Sequence, residues 1–191
     1  MGISKELFTK KTLWILFSVC ATPIHIWTFI LFFNDFAWVA ERTDAWDAVG
    51  VGSYGLVIAL VESVFVLLCT LVLSLLLPKK LPEAKKIATL GTLAIMASLW
   101  SIVGQLYFLL EINLPAGLII AISRNPHPLW ILYGGLGFIV AITILVPIVL
   151  ILRLEKTAAA LLTFFERLTT LTALYIFLDI CALVIVIIRN I

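Results

Sequence analysis

The chain is 191 residues long, 63% hydrophobic and 13% charged, with a formal charge of +2. Soluble proteins run nearer roughly 45–50% apolar and 25% charged, so an ordinary water-facing surface is excluded, and so small a net charge gives no hold on nucleic acid. A bilayer is the solvent this composition suits, and the expected class is an all-α integral membrane protein, one domain over residues 1–191.

The first long apolar run covers residues 12–33, after Lys5, Lys10 and Lys11. Basic residues before an apolar stretch also describe a signal peptide. The apolar core of a signal is only about 7–15 residues and ends in a small-x-small site, so this longer run without one reads as a membrane span. Ser18, Thr22, His25 and Thr28 recur along it at helical spacing, and Pro23 marks a place where it can bend.

An outer connection, "NDFAWVAERTDAWDA", brings Glu41, Asp44 and Asp47 together. Its acids can gather cations, or form a solvated surface, but they lack the spacing of a calcium loop. Gly50, Gly52 and Gly55 then spell G-x-G-x-x-G. A dinucleotide fingerprint must follow a buried strand; here an acidic connection precedes the motif and an apolar helix follows, so close helix packing accounts for the glycines.

The second span, residues 51–77, carries Glu62 in "IALVESVFVLL". An acid at the centre of a bilayer costs about 2.5–3.5 kcal/mol on insertion scales, which makes an intramembrane carboxyl a functional candidate. Gly55 and Cys69 share its face, with Ser63, Thr70 and Ser74 on the adjacent one. The basic loop "PKKLPEAKK" leads to the third span, residues 87–110, where Gly91, Ala94, Ser98, Ser101 and Gln105 fall on one helical face.

Between Pro115 and Pro128, "NLPAGLIIAISRNPHP" is too short to cross and reads as an outer interfacial or re-entrant elbow. Trp38, Trp46 and Trp130 suit an aromatic belt there. The fourth span, residues 129–152, has Gly134, Gly137 and Ala141 in a stripe and Pro147 in its second half. From Lys156 to Asn190 there is neither Pro nor Gly. The fifth span, residues 169–188, is therefore expected to begin as a helical stub outside the hydrocarbon, and it carries Thr172, Tyr175 and Asp179 on one face.

Lys5, Lys10, Lys11, Lys79, Lys80, Lys85, Lys86, Arg153, Lys156 and Arg167 fall on one side of these spans; Arg42, Arg124 and Arg189 fall on the other, which accounts for all 13 basic residues. The positive-inside rule gives a multi-pass plasma-membrane protein with its N-terminus inside and its C-terminus outside. Cys20, Cys69 and Cys181 lie singly in apolar runs, without the spacing of a disulfide framework or a zinc site.

In lipid, helices pack through small residues and join through polar ones. Counted in from the outer ends at 1.5 Å per residue, Glu62, His25, Asp179 and Gln105 lie roughly 8–16 Å deep, so a single shared layer of hydrogen bonds is expected. Three functions follow. The favoured one is a non-catalytic membrane component, a subunit of a homo-oligomer or larger membrane complex, with that layer as its helix latch. A small channel or carrier would instead pass a proton or cation through Glu62 and Asp179, and a lipid-active enzyme would use one of them as a base. No catalytic motif, cofactor set or metal set accompanies them, and membrane lipids and other subunits are the expected partners.

Overall fold

A computed structural model of the chain describes residues 9–191, so Lys5, counted above among the inner basic residues, lies outside the described part. Six helices and no strand occur among the described residues: α1 (Lys10–Arg42), α2 (Ala45–Ser74), α3 (Glu83–Leu109), α4 (Ala116–Ser123), α5 (Pro128–Arg153) and α6 (Glu155–Asn190). All but α4 are long and apolar enough to span a membrane.

Local chemistry sets the ends. The Thr9 side chain accepts from the Thr12 amide and starts α1, as the Asp44 side chain accepts from the Asp47 amide and starts α2. Pro128 opens α5, where its missing N–H costs nothing. Leu154, in an extended conformation, is the single residue between α5 and α6. The elbow after α3 contains Glu111 at a left-handed φ of 48° before the short α4, which packs only on α5.

The acidic connection between the first two spans is helical over most of its length. α1 runs on to Arg42 and α2 begins at Ala45, so Glu41 lies in the last turn of α1, Asp44 caps α2 and Asp47 sits in its first turn. The segment is continuous with good helix-forming sequence, and the cap at Asp44 confines the break to Thr43 and Asp44. The expected stub before the fifth span is present as one unbroken α6 of 36 residues.

α1 is the hub, packing on α2, α3 and α6, while α5 meets only α3, α4 and α6. The apolar core lies toward the ends rich in basic residues: Ile15, Leu16 and Val19 of α1 meet Ile87 and Leu90 of α3 and Phe165 of α6. A satellite joins Ala88, Ile151 and Ala158. Gly91 makes this approach possible, because a Cβ there would stand 2.4 Å from the Phe165 ring.

The helices are packed inside out relative to a water-soluble bundle. α2 buries Ala48, Gly50, Gly52, Ser53, Ala59, Ser63, Thr70 and Ser74 while Val61, Phe65, Leu68 and Val72 face outward. Small residues let helix backbones come close, and large aliphatic ones suit a lipid-facing surface. Only Ile151 of α5 is buried, so the outer half of that helix stands open, as does α3 beyond Trp100.

Candidate functional site

The four polar candidates do not form one layer; they divide across α1. His25 and Trp27 are two residues apart, roughly 200° around the helix, so one faces α6 and the other faces α3.

Toward α6, His25 and Asp179 form a fully enclosed pair, with side chains 0% and 1% exposed. His25 Nε2 lies 3.1 Å from each carboxylate oxygen of Asp179, and Nδ1 lies 2.9 Å from the Ala21 carbonyl oxygen. Tyr175, one turn before Asp179, stacks on the imidazole with centroids 4.8 Å apart and planes 15° apart. Ser18 and Thr22, also buried, bond back to carbonyls of their own helix, as does Thr172 on α6. The Tyr175 hydroxyl also bonds to Thr22, so the His25–Asp179 contact belongs to a small polar junction between these two helices in the middle of their length.

Toward α3, Trp27 donates its indole N–H to the side-chain oxygen of Gln105. Around this bond two adjoining hollows of about 260 and 360 Å³ form a groove between α1, α2 and α3. Both hollows are lined by Trp27, Thr28, Glu62 and Gln105; Gly52 and Gly55 line the first, and Ser98 and Ser101 the second. Neither His25 nor Asp179 lines either hollow.

Glu62 is exposed and makes no hydrogen bond to the described residues. It was expected to be hidden with Asp179. The face of α2 that turns inward is instead the neighbouring one, carrying Ser63, Thr70 and Ser74, while Glu62 and Cys69 look out. A step of one residue turns a helix by roughly 100°, enough to move the acid from the bundle interior to its flank. The Gly134, Gly137 and Ala141 stripe of α5 is likewise exposed, with nothing within 4 Å of a Cβ placed at either glycine.

The outer acids are also used differently. Asp47 pairs with Arg189 at 2.5 Å, and Arg189 donates to the Trp46 carbonyl oxygen at 2.8 Å. Gly50 leaves room for the guanidinium, since a Cβ would lie 2.6 Å from it. Asn190 reaches the Tyr54 hydroxyl at 2.6 Å, completing a clasp between the start of α2 and the end of α6. Gly52 packs on Phe32 and Gly55 on Thr28. Among the described residues no group of three or more His, Cys, Asp or Glu is placed to hold a metal ion.

Trp27 and Arg189 escaped the sequence reading. Trp27 passes for an apolar span residue unless its N–H is matched to Gln105, and Arg189 for an interfacial charge unless it is set against the acids at the same end of α2. With known proteins the chain shares no match: no family model, no curated protein and no solved structure corresponds to it.

Proposed function

We propose that the chain is a non-catalytic, multi-pass subunit of a membrane assembly, and that the groove around Glu62 and Gln105 receives a membrane helix from another subunit or a second copy. The observation that carries this is the exposure of Glu62 at the edge of the groove, on a helix whose exposed residues Val61, Phe65 and Leu68 are apolar. Against lipid, an uncovered acid at such a position costs about 2.5–3.5 kcal/mol. A helix bearing a basic or hydrogen-bond-donating side chain would cover it, and the small residues Gly55, Ser98 and Ser101 on the groove walls would let its backbone approach. The excess of Lys and Arg at one end of the helices supports an orientation with the N-terminus and the α2–α3 connection inside and the Asp47–Arg189 clasp outside.

The division of the polar groups across α1 favours this reading over a carrier that uses both Glu62 and Asp179, since Asp179 is enclosed with His25 and does not line the groove. The test is purification in a mild detergent. The wild-type protein is expected to travel as a particle larger than its 21.2 kDa chain, or with a co-purifying membrane polypeptide. Glu62→Leu removes the polar bond and is expected to lower recovery of that particle at least tenfold, while Glu62→Gln retains part of it. A wild-type monomer with nothing co-purifying overturns the proposal, as does a Glu62→Leu particle indistinguishable from the wild type.

A further inference from the structure

The His25–Asp179 pair permits a proton count. The Ala21 carbonyl oxygen accepts only, so His25 Nδ1, 2.9 Å away, must carry a hydrogen. Nε2 faces two carboxylate oxygens at 3.1 Å each. Either Nε2 also carries a hydrogen and donates to a carboxylate, or it accepts from a carboxylic acid. Both arrangements hold two protons and no net charge. Remove one and neither tautomer of the neutral ring satisfies both contacts: a lone pair meets the Ala21 carbonyl or the carboxylate. A full negative charge is then left enclosed, where its desolvation is costly.

Among the described residues no other ionisable group is positioned to neutralise that charge. On α1, Cys20 is turned to Thr70. On α2, Glu62 and Cys69 are exposed and Tyr54 is held by Asn190. α3 has no ionisable side chain from Ile87 to Leu106, and on α5 Tyr133 is exposed. On α6, the Tyr175 ring faces the imidazole and Cys181 is exposed. No Lys or Arg lies within residues 12–33, 51–77, 87–110, 129–152 or 169–188.

We propose that His25 and Asp179 together form a proton-binding site that fastens α1 to α6, taking up one proton from solution as the helices close and releasing it when they part. Separated side chains at neutral pH hold one proton fewer, because free aspartate ionises near about 3.9 and free histidine near about 6.5. The ligand is thus the proton itself, and closure of the bundle is coupled to its uptake. The site is independent of the groove at Glu62 and of whatever fills it.

The linkage has a definite sign. Above about pH 6.5 the open state binds one proton fewer than the closed state, so the equilibrium constant for opening rises as pH rises, by up to about tenfold per pH unit. Between the free aspartate and free histidine ranges the two states hold equal numbers of protons and the dependence flattens.

The experiment uses the full chain in lipid nanodiscs with 15N-labelled histidine; its second histidine, the exposed His127, serves as the reference. From about pH 7 to 9, the His25 Nδ1 signal should remain that of a hydrogen-bonded N–H. Denaturant unfolding in detergent should show the rising opening constant. Asp179→Asn, whose amide can donate to Nε2 of a neutral ring, should abolish the slope between about pH 7 and 8, below the range in which the free thiols of an opened chain ionise. Loss of the His25 Nδ1 hydrogen over this range, or a flat wild-type opening constant, overturns the proposal, as does the full slope in a folded Asp179→Asn. The wild-type measurements decide even where that variant does not fold.

Discussion

Gly91 is the residue on which the packed end of the bundle turns. Its missing side chain lets the buried Phe165 ring lie directly on α3, and a Cβ would enter the ring at 2.4 Å. Overpacking of this kind costs about 1–3 kcal/mol. Gly91→Ala should therefore lower stability by about that amount in a denaturant titration, whereas Gly134→Ala, with open space around it, should cost nothing and can gain from helix propensity. Equal effects at the two positions would place the contact between α3 and α6 elsewhere. This difference was not legible in the sequence, where both glycines belong to equally regular small-residue stripes; periodicity marks a face without saying which neighbour, if any, covers it. For the same reason Glu62 was grouped with Asp179: its helix was evident, but the rotation of α2 that buries Ser63 and turns the acid outward is settled by the fit of Gly52 against Phe32 and Gly55 against Thr28.

Whole helices were easier to read than their contacts. An apolar run of about 20 residues in this composition has few alternatives to a helix, and α3, α5 and the long α6 match their expected extents closely. α1 and α2 extend further because their outer turns are polar yet helical, and hydropathy cannot see a polar helix end. The outer clasp arises from that extension: it brings Asp47 and Trp46 beside Arg189. With side chains 22% and 41% exposed, the ion pair itself is a modest contributor. A double-mutant cycle with Asp47→Asn and Arg189→Gln should return a coupling of about 0.2–1 kcal/mol, weakened by salt. Gly50→Ala should push the guanidinium aside and reduce that coupling. A cycle that closes to zero in the wild-type background would remove the clasp from the forces holding α6 to α2.

At the scale of the whole molecule, the exterior is more telling than the core. Large aliphatic and aromatic side chains cover α2, α5 and the outer half of α3, and the cysteines sample this arrangement: Cys20 is buried, whereas Cys69 and Cys181 are exposed on α2 and α6. In intact membranes a lipid-soluble thiol reagent should modify Cys69 and Cys181 and leave Cys20 unmodified. A water-soluble maleimide should modify none of the three. Rapid reaction of Cys69 with the aqueous reagent would take α2 out of the hydrocarbon.

The bond between His25 and Asp179 spans 154 positions of the chain. At about 5–20 residues per second of synthesis, roughly 8–30 s pass between the two residues leaving the ribosome. Throughout that interval His25 has no carboxylate to pair with. A chain cut short before its last helix never leaves that state, because Asp179 is carried by α6.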